Sequence, residues 1–309
     1  MIGSSIGNFD GVHLGHQALV ESLRSTDREL SALVAVTFEP SPEAVLGRPG
    51  KARIQTAPER RRQLLKAGFN DVLELSTTPE LLSLEPRAFM ERLMSMLGGD
   101  LAVLAEGADF RFGSGRSGSV ETLGRVGESF GFEVEVVAER RVRLADGLEV
   151  PARSSVVRRL LELGRVEDVS RMLGRRHELV GTVVKGDQRG RTIGIPTANL
   201  DLGGAMLPAD GVYAGLATLP DGSRLPAAIS VGTKPTFEPT PAVAEVHLLD
   251  WDGRLDDYGW MLSATLARRL RGQERYDGLA PFLAQLERDL EATRRVAEME
   301  MKNPIGVQP

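Results

Sequence analysis

The chain of 309 residues has no cysteine, which excludes a disulfide framework, a thiolate metal site and a cysteine nucleophile. Histidine is scarce: His13, His16, His177 and His247 leave little material for a multi-histidine metal centre. No apolar run reaches the ~20 residues of a membrane span. The opening MIGSSIGNFDG has no basic segment followed by an apolar one, as a signal peptide would. An unexported, cytoplasmic protein with no membrane partner is the expectation. Excess positive charge is lacking too. At a net charge of -5 no global field draws in nucleic acid, so any phosphate must be held by local sites. The G-x-x-x-x-G-K-[ST] string of a P-loop occurs nowhere, so a nucleotide has to be held in another way.

What the chain does have is length for two cores, at roughly 150 residues per domain. Hydrophobic residues at 41% and charged residues at 26% are ordinary globular usage and give no reason to expect disorder. Short apolar runs at Leu33 to Phe38, Asp71 to Leu75, Leu101 to Ala105 and Phe132 to Val137 alternate with the helical patterns PERRRQLLKAG, PRAFMERLMSML and SVETLGRVGESFG. That rhythm predicts βαβ units on a parallel, Rossmann-like sheet, an α/β domain over residues 1–175. Its ligands belong at the carboxyl ends of the strands. Beyond about residue 175 the runs ELVGTVV, GVYAGLATL, RLPAAISVG, AVAEVHLLD and WMLSATLARRL follow without helices between them, predicting a small antiparallel β-barrel over residues 176–309. Leu279, Phe282, Leu283, Leu286 and Leu290 form one stripe of a closing C-terminal helix expected to pack on the barrel. The border is placed between Gly174 and Glu178, with no evident linker.

Residues Gly7 to His16, GNFDGVHLGH, precede the helical pattern HQALVESLR. A turn of this kind brings backbone amides to a phosphate at a helix N-terminus. His13 and His16 would face one triphosphate and stabilise charge as pyrophosphate leaves, with Gly15 keeping the space between them open. Two histidines in a loop read more simply as solvated when taken alone; the missing P-loop and the sequence that follows reverse that preference. The string is similar to the H-x-G-H motif of the nucleotidyltransferase superfamily. G-N-F-D-G-V-H-x-G-H in particular resembles the prokaryotic bifunctional riboflavin kinase/FMN adenylyltransferases, or FAD synthetases. Thr37 to Pro42 resembles their T-F-x-P-H-P loop, and Asp109 to Gly113 their [DN]-F-x-F-G loop. Ser154, Ser155 and Arg158 lie on their S-S-T-x-I-R signature. The resemblance implies a nucleotidyltransferase domain that moves AMP from ATP to FMN, giving FAD and pyrophosphate. It makes His13 and His16 catalytic and places Gly7, Phe9, Asp10, Gly15, Asp109, Ser154, Ser155 and Arg158 around ATP and its phosphates. Three departures stand out: Ser41 where the family has His, Arg153 where it has its first Ser, and Met1 only a few residues before the motif.

In the second half Gly186, Gly190 and Gly194 recur every four residues beside Lys185, Arg189 and Arg191, a flexible basic loop suited to a nucleotide. For the glycines alone a hairpin is the better reading. Pro196-Thr197-Ala198-Asn199 is harder to dismiss. In an extended segment the Thr197 hydroxyl and the Asn199 amide oxygen point the same way and offer hard oxygen ligands to a magnesium ion carried by ATP. Phosphorylating a primary alcohol needs a base near the hydroxyl and a metal-bound γ-phosphate in line with it. Glu245 on a strand suits the base; His247 shares its face and supports the strand. The stretch GTVVKGDQRGRTIGIPTANL resembles the riboflavin-kinase signature, and the similarity continues through ISVGTKPTF and AEVHLLD to Arg271 and Tyr276. It implies that Glu245 is catalytic, that Gly186, Gly190, Arg191, Gly194, Pro196, Thr197, Asn199 and Arg271 bind ATP or flavin, and that Thr197 and Asn199 hold the metal.

The resemblance therefore implies phosphorylation of riboflavin to FMN in the barrel, then adenylylation of FMN to FAD in the α/β domain. Its small-molecule partners would be ATP, riboflavin and FMN, with Mg2+ as cofactor and FMN and FAD as product and substrate. Two alternatives stay open. The departures at Ser41 and Arg153 favour a riboflavin kinase whose adenylyltransferase domain is degenerate. A non-catalytic regulatory protein that binds flavin or nucleotide is the other, and Thr197, Asn199 and Glu245 argue against it because binding needs no base.

Overall fold

The computed structural model describes residues 1–47, 51–233, 242–254 and 256–303. Contacts divide the chain into two compact units, Met1–Val142 with Pro151–Ser154, and Arg143–Val150 with Ser155–Pro309.

The first unit is built on five strands, β1 (Ile2–Ile6), β2 (Ala32–Glu39), β3 (Asp71–Ser76), β4 (Leu101–Gly107) and β5 (Glu133–Val137). All pair in parallel in the order β3-β2-β1-β4-β5. The helices are α1 (Leu14–Ser25), α2 (Pro42–Val45), α3 (Ala57–Ala67), α4 (Pro79–Ser83), α5 (Pro86–Met96) and α6 (Val120–Phe130). One face of the sheet meets Phe89 and Leu93 of α5 and Leu123 of α6; the other meets Leu23 of α1 and Leu64 of α3. This is the doubly covered α/β layer that the alternating runs predict. The termini of α3 follow local rules: Thr56 accepts from the Glu59 N–H at its start, and Gly68, at a φ of 114°, closes it. Gly3, Ser4 and Ser5 are poor strand formers, yet β1 is the central strand and wholly buried. The reason is close packing: a Cβ on Gly3 would lie 2.6 Å from Leu30 Cδ1, and the Ser4 hydroxyl donates to the Val34 carbonyl at 2.8 Å. Because β1 connects to β2 on one side and pairs with β4 on the other, the order reverses at β1/β4, where open α/β sheets bind ligands.

Two short strands, β6 (Arg141–Arg143) and β7 (Glu149–Pro151), and two helices, α7 (Ser154–Glu162) and α8 (Val166–Leu173), come next. Residues 155–173, which the sequence pattern puts in the first domain, group by contact with the second unit. Val166 of α8 belongs to the barrel's own core cluster.

The strands β8 (His177–Val184), β9 (Ala198–Asp201), β10 (Gly211–Thr218), β11 (Arg224–Gly232), β12 (Val243–Leu248) and β13 (Met261–Leu266) close into a six-stranded antiparallel barrel. The ring runs β11-β12-β9-β8-β13-β10 and returns to β11, with β14 (Arg268–Arg271) also paired to β10. Closure removes the open edges of a free sheet. The loop carrying the Gly-rich motif contains the short helix α9 (Arg189–Thr192). The closing helix α10 (Leu279–Lys302) meets β10, β11 and β14. Of the expected stripe, Phe282, Leu283, Leu286 and Leu290 are half-buried, and the seam extends beyond it. Leu279 is exposed, whereas Asp289, Thr293, Val296, Ala297 and Glu300 are buried. Two ion pairs make this possible: Arg271 Nη2 lies 2.8 Å from Asp289 Oδ2, and Arg176 Nε lies 2.8 Å from Glu300 Oε2.

Candidate functional site

In the first unit the turn between β1 and α1 carries the paired histidines. His13 is the N-cap of α1, and its ring stacks on that of His16 with centroids 3.6 Å apart. Phe9 meets His16 edge-on at 5.1 Å and is itself buried. The turn is tight enough to put Phe9 at a φ of 48° and Val12 at 43°, positions that side chains seldom adopt without surrounding support. The Asp10 carboxylate supplies some of it, accepting the Ile54 N–H at 3.0 Å, and the Ser154 hydroxyl donates to the Asp10 carbonyl at 2.7 Å. A Cβ on Gly15 would lie 2.6 Å from the Ala152 carbonyl, so glycine is required there by a neighbouring strand of chain. Gly7 ends the β1 ladder with its N–H on the Val36 carbonyl.

Asp109 lies in the loop after β4, and Arg153 Nη2 is 3.4 Å from its Oδ2. The same guanidinium donates to Glu139 through Nε at 2.8 Å, which holds it protonated above its ordinary range. Gly7, Phe9, Asp10, His13, Gly15, His16, Asp109 and Ser154 are thus in one unit, on or beside the loops at the carboxyl ends of β1 and β4. Ser155 and Arg158 group with the second unit.

In the barrel, antiparallel register sets Glu245 of β12 opposite Asn199 of β9 on one side and opposite Ser230 of β11 on the other. Thr197, two residues before Asn199, lines two cavities. The smaller, about 250 Å³, also receives Glu245, Gln188, Ser230 and Gln273. Gln273 Nε2 donates to the Ser230 hydroxyl at 3.1 Å. The larger, about 360 Å³, is lined by Asn199, His247, Trp251, Tyr258 and Trp260 among others. His247 Nδ1 is 2.8 Å from the Pro196 carbonyl, which can only accept, so the neutral ring carries its proton there and keeps Nε2 as an acceptor. That bond ties the Pro196 to Asn199 segment to β12.

The glycines of the basic loop act in different ways. A Cβ on Gly186 would sit 2.1 Å from Asn199 Nδ2, so the loop passes directly over the Asn199 amide. A Cβ on Gly190 would lie equally close to the Ile195 carbonyl oxygen, and Gly194 takes a φ of 78°. Arg191 reaches across to Asp256 Oδ1 at 2.6 Å and to the Tyr258 hydroxyl at 3.2 Å; Gln188 donates to the same hydroxyl at 2.9 Å. Arg191 holds the Asp256 carboxyl below the usual carboxylate range. The Arg271 guanidinium donates to Asp289 and to the Gly272 carbonyl. Lys234 to Phe237 of the expected signature lie outside the described residues. Trp251, Tyr258 and Trp260 escaped the sequence reading, because aromatics in an irregular loop carry no periodic signal. Among the described residues no group of three acidic, His or Cys side chains forms a metal cage.

A two-unit chain with one phosphate-type turn and one strand-borne carboxylate belongs among multidomain nucleotide-using proteins, and comparison narrows this. Residues 3–145 match the FAD synthetase family and residues 173–297 the riboflavin kinase family. The bifunctional riboflavin kinase/FMN adenylyltransferase of Escherichia coli (strain K12) is 35% identical over 294 residues, covering 92% of this chain and 89% of the relative. The Bacillus subtilis (strain 168) protein of the same description is 31% identical over 297 residues, with the same shares of 92% and 89%. A crystal structure of a protein described as a macrolide-efflux protein from Streptococcus pneumoniae superposes with a TM-score of 0.81 at 30% identity, covering 94% of this chain and 93% of that one. Among the described residues of the present chain no helix is long and apolar enough to cross a membrane. The chain belongs to the bifunctional riboflavin kinase/FMN adenylyltransferase family.

Proposed function

We propose that this chain makes FMN from riboflavin in its barrel and FAD from FMN in its parallel-sheet unit, using ATP for both steps. The observation that carries the kinase assignment is the pairing of Glu245 with Asn199 beside Thr197, at the border of two cavities. Glu245 takes the proton from the ribityl hydroxyl as that oxygen attacks the γ-phosphorus, and ADP leaves. The larger cavity accommodates the nucleotide, its base against Trp251, Tyr258 or Trp260; the smaller accommodates the reacting end of riboflavin. Thr197 and Asn199 are neutral oxygen donors, too few for a resident metal cage but suited to Mg2+ that arrives with ATP phosphates. When bound, that ion neutralises charge on the transferring phosphoryl group.

In the first unit His13 and His16 face the triphosphate while a phosphate oxygen of FMN attacks the α-phosphorus and pyrophosphate leaves. The functional border falls near residue 175. Both reactions belong to the cytoplasm, where riboflavin, FMN and ATP are the small-molecule partners.

Incubation of the purified chain with riboflavin, ATP and magnesium, with FMN and FAD resolved by chromatography, tests both halves. Glu245→Ala should abolish FMN formation and leave conversion of supplied FMN to FAD; His16→Ala should do the reverse. If both variants match the wild type, these site assignments fail. The kinase-only reading has one observation in its favour, the Arg153 guanidinium drawn onto Asp109 and Glu139. FMN without FAD in the wild-type assay would establish it.

A further inference from the structure

A buried carboxyl group that neither site uses lies near the end of β4. Glu106 is 2% exposed, and its Oε1 accepts the Ile6 backbone N–H at 2.6 Å and the Ser5 hydroxyl at 3.4 Å. Strand divergence explains the arrangement. β1 stays paired with β2 as far as Ile6, opposite Val36, and the Gly7 N–H still reaches the Val36 carbonyl. Toward β4 the register stops at Ser4 with Leu104, after an irregularity. Successive residues of a strand present their N–H groups to opposite neighbours, so the Ile6 N–H faces β4 beyond the end of that ladder. An unmet N–H in the core is costly, and the Glu106 side chain supplies the acceptor that the strand backbone does not. Burial raises the Glu106 carboxyl well above the ordinary carboxylate range.

Ile6 is the last residue before the turn that carries His13 and His16, and the gap between β1 and β4 is the switch-point crevice. We infer that Glu106 is a positioning residue for the adenylyl-transfer site: its carboxyl fixes the end of β1, and so the placement of the two imidazoles, while the strands remain parted. This rests on the adenylyltransferase reading above. A glutamine offers the same acceptor in the same shape; a leucine fills the space and offers none.

The full chain, as wild type, Glu106→Gln and Glu106→Leu, should be assayed for FAD formation from FMN and Mg-ATP, with riboflavin phosphorylation and thermal melting followed in parallel. Expected are a Glu106→Gln kcat within about threefold of wild type and a Glu106→Leu kcat lowered ~10-fold or more, since misplaced catalytic groups lose rate steeply. KM for FMN and riboflavin phosphorylation should change little. Full FAD formation by Glu106→Leu, or equal impairment of Glu106→Gln, overturns the inference. If Glu106→Leu does not melt cooperatively, Glu106→Asp replaces it, because a shorter side chain withdraws the acceptor; a fully active Glu106→Asp overturns the inference likewise. A wild type that forms no FAD overturns the adenylyltransferase reading itself, a result distinct from these.

Discussion

Glu245 and Asn199 are paired residues of neighbouring antiparallel strands, so a carboxylate and an amide are held side by side on one face of the barrel by the β12–β9 register. Neither position depends on a loop. Glu245→Gln keeps the shape and removes the base, so riboflavin phosphorylation should fall by ~10²- to 10⁴-fold. Adenylylation of supplied FMN should be untouched. Asn199→Ala should instead raise the magnesium concentration needed for half-maximal FMN formation, read from rates across a magnesium series.

The two tryptophans of the chain, Trp251 and Trp260, have ring centroids 6.0 Å apart and both line the larger cavity. Tryptophan fluorescence therefore reports on that cavity alone, and ADP should change it in the wild type. Arg191 clasps the Gly-rich loop to Asp256 and Tyr258 beside this cavity. Asp256 is mostly exposed, so the clasp is worth no more than a surface ion pair with one added hydrogen bond. Arg191→Ala should weaken ADP binding by about 3- to 10-fold in a fluorescence titration, and an unchanged affinity would remove Arg191 from the nucleotide site.

Much of this was legible in the residues themselves. The helical pattern PERRRQLLKAG marks α3, and the apolar runs mark β2 to β5. The paired histidines and the Pro196 to Asn199 string stand out because they are strung along one segment. What was not legible depends on distant partners. Gly3, Ser4 and Ser5 form a central strand only because β2, β4 and their helices enclose them. Asp289 and Glu300 read as solvated charges until Arg271 and Arg176 arrive from other elements to bury them. Glu106 was passed over for the same reason, since nothing near it in sequence shows that the Ile6 N–H meets no backbone acceptor on β4.

His177, at the start of β8, is buried, and its Nε2 has no hydrogen-bond partner. Burial first, and the Arg175 charge second, lower its pKa to about 4 from 6.5. The folded state thus favours the neutral ring, and between those two values the unfolded chain binds the extra proton. Stability from this group is full above the unfolded value and is lost as pH falls toward about 4. At about pH 5 the loss should be roughly 2 kcal/mol relative to neutral pH, measured by urea unfolding. His177→Leu should flatten that dependence; a variant that keeps it would place the proton elsewhere.

Arg153 stands where the family has serine. Its guanidinium lies between Asp109 and Glu139, two carboxylates whose summed charge would otherwise repel ATP. All three groups are substantially exposed, so the electrostatic effect is modest and open to screening. Arg153→Ala should raise KM for ATP in FAD formation by about 2- to 5-fold at low ionic strength. The difference should shrink at high salt, and riboflavin phosphorylation should not change. The family's serine offers the decisive comparison. If Arg153 screens the carboxylates, Arg153→Ser behaves as Arg153→Ala; if instead the arginine obstructs the Asp109 loop, Arg153→Ser raises the rate of FAD formation. The direction of that one change separates a chain adapted to use an arginine at the adenylyl site from one in which the arginine has closed it.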